Sequence, residues 1–115
     1  IFLDQKYKKK PLTIVGDGKQ TRDFIHVFDL VELIVKAAEK GKPGEIYNIG
    51  SGKETTINTV ARIIGGKKVY LKSRLGEPNK SLANISKAKK HFKWRPKIVI
   101  EKGLKTLIGK NKFKQ

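Results

Sequence analysis

The 115-residue sequence contains no cysteine and no methionine. The lack of cysteine excludes disulfides and thiolate metal sites. Histidine is scarce as well: only His26 and His91 occur, and they fall in different predicted elements, which argues against a metal site. Because methionine is absent even from position 1, we expect the chain to be a fragment of a longer protein.

Long apolar runs are also missing. No stretch reaches the ~18 consecutive apolar residues of a membrane-spanning helix. Lysines soon follow the short apolar start, which is unlike a secretory leader. We therefore expect no membrane partner and a cytoplasmic location. Hydrophobic residues make up 37% and charged residues 32% of the sequence, a balance typical of a globular chain rather than a disordered one.

Acidic residues are few, because 10 Asp and Glu stand against 27 Lys and Arg, for a net charge of +17. Such an excess makes nucleic acid the first partner to consider. However, the basic residues are nearly all lysines and are spread along the whole chain. Arginine is the side chain that reads phosphates and base edges in a bidentate way. A small basic nucleic-acid-binding module therefore stays an alternative and is not the favoured interpretation.

Hydrophobic periodicity predicts an α/β chain in which short strands alternate with amphipathic helices and some strands pair in parallel. The predicted strands are 12–15, 46–49 and 69–71, and the predicted helices are 30–38, 57–64, 86–92 and 100–108. Asp29 and Ser86 are the expected N-caps of two of these helices. The 46–49 strand reads as buried, and the polar tail 110–115 as frayed. No linker divides the chain, so residues 1–115 are expected to form one domain.

Neither glycine-containing turn matches the dinucleotide-binding fingerprint G-x-G-x-x-G. The turns at 16–18 and 50–52 both have threonine where the third glycine is required. Small residues are common in ordinary turns between secondary structure elements. We therefore interpret both segments as turns and not as phosphate cradles of that type.

Two arginines, Arg22 and Arg74, lie beside glycine-containing turns, where the backbone lets a ligand approach closely. Together the two guanidinium groups could clamp a diphosphate, because each binds phosphate oxygens as a fork. The alternative is an incidental ion pair of each arginine with a local acid, Asp23 or Glu77. Surface ion pairs are common, so the residues alone favour the simpler interpretation.

Three ordered segments resemble those of a known family: GDGKQTRDFIHVFDLVELI, EIYNIGSGKETTINTVARII and RLGEPNKSLANISKAKKHFKWRPKIVIEKGL. In order and spacing they resemble the C-terminal part of extended short-chain dehydrogenase/reductase enzymes, the NAD-dependent epimerases and dehydratases of nucleotide sugars. The resemblance covers nearly the whole chain. It implies an α/β fragment of that fold, namely the small substrate-binding part without the Rossmann NAD-binding fingerprint.

The resemblance also implies a site for a nucleotide-diphosphate sugar, with a UDP-sugar expected. Arg22 and Arg74 match the family's phosphate-binding arginines, and Glu77 matches an acid that accepts hydrogen bonds from the ribose hydroxyls. Phe24 matches an aromatic position beside the nucleotide that is often tyrosine in family epimerases. Ile57 matches an apolar position that contacts the base. These roles suit the chemistry of the side chains.

Other parts of the family pattern are absent. The family's catalytic tyrosine has a lysine four residues later, and none of the three tyrosines here does. The resemblance therefore implies that NAD is bound by a missing N-terminal part, that the helix at 30–38 and the strand at 46–49 pack against it, and that this chain alone is inactive. Many family members are dimers, so a homodimer is a candidate state of the intact enzyme. A non-catalytic structural remnant stays a further alternative.

Overall fold

The computed structural model describes residues 1–111 and has an α/β architecture. The helices are α1 (Phe2–Tyr7), α2 (Val27–Lys40), α3 (Ile57–Ile64), α4 (Ser86–Phe92) and α5 (Ile100–Asn111). The strands are β1 (Leu12–Val15), β2 (Thr21–Asp23), β3 (Glu54–Thr56) and β4 (Lys68–Leu71). None of the helices within this described part combines the length and the apolar character that crossing a membrane requires.

Two pairs of strands organise the chain. β1 and β4 pair in parallel, with Ile14 opposite Tyr70, which confirms the predicted parallel pairing. β2 and β3 pair in the antiparallel sense, with Arg22 opposite Thr55. Periodicity does not predict β2 or β3, because strands of three mostly polar residues show no alternation that distinguishes them from turns.

A first apolar cluster lies between β1 and α3. Leu12 and Ile14 of β1 are fully buried, and they pack against Val60, Ala61 and Ile64 of α3. The three α3 residues follow the helical spacing i, i+1, i+4, so they share one face, as the sequence predicts. Partly buried side chains of α1 and α5 cover the same cluster.

A second apolar cluster joins α2 to α4 and to the chain after it. Leu33 of α2 packs with Ala88 and Phe92 of α4, together with Ile85 and Trp94, and all five are buried. The segment that connects β4 to α5 is therefore fixed on α2 by its apolar side chains.

The start of α2 differs from the prediction. The helix begins at Val27, and its N-cap is His26, whose Nδ1 accepts a hydrogen bond from the Phe28 amide at 3.0 Å. The predicted N-cap, Asp29, lies in the first turn, where it is buried and accepts a hydrogen bond from the Ile98 amide at 2.9 Å. A carboxylate is favoured there by the helix macrodipole. The prediction failed because an acid near a helix start suits both the cap and the first turn.

The predicted strand at 46–49 is wrong. The segment pairs with no strand among residues 1–111. Ile46 is 80% exposed, whereas Tyr47 and Ile49 pack partly against the second cluster. A short apolar run does not by itself determine whether a partner strand is available.

The ends of the last two helices also differ from the prediction. Ser86 is the first residue of α4 and not its cap; its amide donates to Asn84 Oδ1 at 3.1 Å. α5 continues through Asn111, so the predicted fraying is wrong at Lys110 and Asn111. The remainder of that prediction, 112–115, lies outside the described residues.

Candidate functional site

An open cleft of about 380 Å³ lies where the parallel strands β1 and β4 end. In open α/β sheets, ligands bind outside the carboxyl ends of parallel strands, because the loops that follow neighbouring strands meet there. The turn after β1 forms one wall of this cleft, and the loop after β4 forms the other. The lining residues are Val15, Gly16, Asp17, Gln20, Ser73, Arg74, Glu77, Pro78 and Asn79.

Arg22 connects β2 to the loop that follows β4. One guanidinium nitrogen, Nη1, donates to the carbonyls of Thr21 at 2.7 Å and Pro78 at 2.8 Å. The other, Nη2, lies 3.5 Å from Glu77 Oε1. The Thr21 amide also donates to the Asn79 carbonyl at 2.9 Å. The loop wall of the cleft is thereby fastened to β2, and Arg22 sits beside residues that line the cleft.

Asp23 does not pair with Arg22, so the local ion pair considered for these two residues is wrong. Its carboxylate accepts from the Ser51 amide at 2.6 Å, the Ser51 hydroxyl at 2.5 Å, the Gly52 amide at 3.0 Å and the Ala83 amide at 3.3 Å. Partial burial raises the pKa of Asp23, but the hydrogen bonds outweigh burial and lower the pKa below its ordinary value. Asp23 therefore joins three parts of the chain as a carboxylate.

Arg74 and Glu77 both line the cleft. The local pair considered for them is not what the structure shows, since Glu77 pairs with Arg22 and no ion pair of Arg74 is found within residues 1–111. Of the five predicted site residues, Arg74 and Glu77 thus line one cleft, and Arg22 lies beside it through its contacts with Glu77 and Pro78.

The other two predicted site residues lie away from that cleft. Phe24 lines a separate, mostly apolar groove of about 320 Å³, together with His26, Val60 and Leu104. Ile57 is partly buried against the first cluster, and only its backbone reaches toward the cleft, donating to the Gln20 carbonyl at 3.1 Å. Their predicted contacts with a nucleotide stay predictions.

Several lining residues were not predicted from the sequence: Asp17, Gln20, Ser73 and Asn79. They could have been predicted by combining the turn after β1 with the expectation that β1 has a parallel partner strand. Because β1 and β4 run side by side, the residues after each strand end must be neighbours. No group of three His, Asp or Glu side chains suited to a metal ion occurs in the described part of the chain.

The sequence is similar to proteins of one family. Residues 1–50 match the profile of the NAD dependent epimerase/dehydratase family. The putative UDP-glucose 4-epimerase of Methanocaldococcus jannaschii is 37% identical over an alignment of 115 positions that covers 95% of this chain and 37% of that protein. UDP-glucuronic acid decarboxylase 1 of Arabidopsis thaliana is 36% identical over an alignment of 116 positions that covers 94% of this chain and 26% of that protein.

The fold is that of the extended short-chain dehydrogenase/reductase class. The crystal structure of UDP-glucuronic acid 4-epimerase from Bacillus cereus, in complex with UDP-glucuronic acid and NAD, matches 99% of this chain and 39% of that one, with a TM-score of 0.89 and 34% identity. Together these similarities confirm the predicted resemblance to the NAD-dependent epimerase/dehydratase family. The chain spans only 26% to 39% of the lengths of these three proteins.

Proposed function

We propose that this chain is the nucleotide-sugar-binding part of an NAD-dependent, UDP-glucose 4-epimerase-like enzyme that acts through a 4-keto sugar. The observation that carries the proposal is that Arg74 and Glu77 line one cleft beside the ends of β1 and β4, while Arg22 pairs with Glu77 at its edge. The relatives named for UDP-sugars and the epimerase that binds UDP-glucuronic acid support the same ligand class.

The side chains at the cleft suit a nucleoside diphosphate. Two guanidinium groups would neutralise the diphosphate and bind its oxygens as forks. The Glu77 carboxylate would accept from the ribose hydroxyls, since an ionised carboxylate only accepts hydrogen bonds. Gly16 has φ +69° and brings bare backbone to the cleft wall. The volume of about 380 Å³ lies within the usual range of small-molecule sites.

NAD itself does not fit the residues of this chain. A dinucleotide cradle needs a glycine turn that opens a helix, so that the pyrophosphate meets the helix N-terminus. Here the turn at 16–18 leads into β2, and the turn at 50–52 leads into β3. The proposed role of the chain is therefore to hold and orient the substrate. NAD binding and the reacting groups are assigned to protein outside these 115 residues.

The proposal is tested by thermal unfolding of the full-length protein with and without UDP. UDP binding to the folded state raises the unfolding temperature, and the rise grows with the logarithm of UDP concentration over its Kd. We expect UDP to stabilise the unsubstituted protein and Arg74→Ala to abolish that effect. The matched control is Arg95→Ala. It removes an exposed arginine that is not among the lining residues of the cleft, so the UDP effect should stay intact. A folded protein whose unfolding temperature no nucleoside diphosphate changes would contradict the proposal.

The net charge of +17 favours one alternative class of function, nucleic-acid binding, and this alternative can be tested. A nucleic-acid-binding module would bind DNA or RNA with sub-micromolar affinity, and the affinity would fall steeply with salt as counterions are released. Such binding without any UDP effect would favour that alternative over the proposed sugar-nucleotide site.

A further inference from the structure

The glycine turn that forms one wall of the cleft is held by a side chain outside the cleft. Asn58 is the second residue of α3, and its Nδ2 donates to the Asp17 carbonyl at 2.9 Å. The backbone amide of Asn58 donates to the Gly18 carbonyl at 3.0 Å. Two consecutive turn carbonyls are therefore bound by one residue that is not itself among the lining residues.

The start of α3 explains why these donors are available. The first amides of a helix have no partner within the helix and must bind something else. The Thr59 amide binds the cap, Thr56 Oγ1, at 3.1 Å. The Asn58 and Ile57 amides instead bind the Gly18 and Gln20 carbonyls at 3.0 and 3.1 Å. The free amides at the start of α3 and the carbonyls of the turn thus become each other's hydrogen-bond partners.

Asn58 also reaches the strand that leads to the other wall. Its Oδ1 accepts a hydrogen bond from the Tyr70 hydroxyl at 3.1 Å. Tyr70 lies in β4, and the chain that follows β4 supplies Ser73 and Arg74 to the cleft. Because the Asp17 carbonyl can only accept, the amide nitrogen must face Asp17 and the amide oxygen must face Tyr70. A single side chain thereby connects the turn of one wall to the strand that leads into the other wall.

The contact between Asn58 and the turn leaves no space for a side chain at position 18. A Cβ atom built on Gly18 would lie 2.0 Å from Asn58 Oδ1. Gly18 also has φ +73°, in the region that favours glycine. Two independent features, the close contact with Asn58 and the positive φ, therefore favour glycine at position 18.

We propose that Asn58 is a positioning residue that sets the separation of the two cleft walls for a nucleoside diphosphate. The inference rests on the proposed function, because it takes UDP as the ligand of the cleft. Removal of the amide would leave the Asp17 carbonyl and the Tyr70 hydroxyl without this partner. The turn would then move more freely against α3, and binding would have to restore its position at a cost in affinity.

The experiment compares Asn58→Ala with Thr56→Ala in the full-length protein. Thr56→Ala removes the cap of the same helix, so it destabilises α3 without removing a bond to the turn. Two quantities are measured for each variant: the affinity for UDP and the hydrogen exchange rate of the amides at 16–20. We expect Asn58→Ala to weaken UDP binding by about fivefold to tenfold and to speed exchange at 16–20. Tyr70→Phe should give a smaller effect in the same direction, because the bond to Asp17 remains.

The outcomes separate this inference from the proposed function. If both alanine variants weaken UDP binding equally, Asn58 acts only through helix stability and the inference is overturned. If Asn58→Ala changes neither quantity, it is overturned as well. If the unsubstituted protein does not bind UDP, the proposed function fails. The hydrogen exchange rates then decide whether Asn58 positions the turn. Faster exchange at 16–20 in Asn58→Ala alone would then uphold it, and equal rates in both variants would overturn it.

Discussion

Arg22 Nη2 lies 3.5 Å from Glu77 Oε1, although the two residues are separated in the chain by α2, β3, α3 and β4. Both side chains remain partly exposed, at 26% and 38%. An ion pair with that exposure contributes little to stability. Its consequence is geometric, because it places a guanidinium group and a carboxylate together beside the same cleft.

The proposed ribose contact of Glu77 predicts a preference for ribose over deoxyribose. We expect the full-length protein to bind UDP more tightly than 2′-deoxy-UDP by at least tenfold, roughly the worth of one hydrogen bond to a charged group. Glu77→Ala should remove most of that preference, whereas Glu101→Ala, at an exposed acid of α5, should keep it. The measurement is titration calorimetry with the two nucleotides. An unchanged preference in Glu77→Ala would remove Glu77 from the ribose site.

Asp23 predicts a pH dependence of stability with a defined sign. Its pKa is lowered in the folded protein, so its carboxylate contributes stability that is present above the ordinary pKa of 3.8 and is lost as the pH falls through the lower folded value. Asp23→Asn should cost about 2 kcal/mol at neutral pH, because an amide nitrogen would face the amide donors of Ser51 or Gly52.

Denaturant unfolding between neutral pH and pH ~2 checks this prediction. The difference in unfolding free energy between the unsubstituted protein and Asp23→Asn should shrink toward the acid end of the range. Asp4→Asn is the control, since Asp4 pairs with Lys8 at the surface, and it should change stability little at any pH. A difference for Asp23→Asn that stays constant with pH would contradict the role of the carboxylate.

Substitution by alanine is expected to lower the free energy of unfolding by different amounts at Gly18 and at Gly76. Both have positive φ, +73° and +81°, so alanine is strained at either position. Only at Gly18 would the new Cβ also collide, with Asn58 Oδ1 at 2.0 Å. We expect Gly76→Ala to cost about 1–2 kcal/mol and Gly18→Ala clearly more, as measured by thermal unfolding. Equal costs would show that the turn has room to move away from α3.

A substitution on the outer face of α2 tests whether another part of the full-length protein covers that face. Val31, Ile34 and Val35 are about half exposed there, while Leu33 faces the second cluster. If another part of the full-length protein packs on this face, as the sequence resemblance implies, Ile34→Lys should lower its unfolding free energy by roughly 2 kcal/mol. Glu39→Lys, at an exposed position of the same helix that is already polar, should be nearly neutral. A neutral Ile34→Lys would mean that the face is solvated.

Local patterns predict much of the fold. The apolar spacing in α3 and the run in β1 are local signals, and the structure confirms both. The 46–49 segment has the same kind of apolar run as β1, but a strand also needs a partner, and none exists among residues 1–111. Such a partner is a property of the whole fold and not of the segment, so periodicity cannot reveal it.

The candidate site is predictable only in part, because its contacts, like strand pairing, join residues that are distant in the sequence. The resemblance pointed to Arg74 and Glu77, which line one cleft, and to Arg22, which pairs with Glu77 beside it, whereas their roles as ligand-binding residues stay predictions. Chemistry alone favoured pairs between sequence neighbours, because nothing in the local sequence indicates that Glu77 reaches Arg22. Asn58 carries no local signal either, since its partners Asp17 and Tyr70 lie in other elements.

The central claim is that Arg22 and Arg74 both bind the diphosphate of one nucleotide. The most direct test measures the affinities of the full-length protein for UDP and for uridine, with Arg22→Ala, Arg74→Ala and the double variant. Each single substitution should weaken UDP binding by at least tenfold, as expected for a charged hydrogen-bonded pair, and should leave uridine binding unchanged. If the substitutions weaken both ligands equally, or if UDP binds no better than uridine, the two arginines do not act on a diphosphate and the account is wrong.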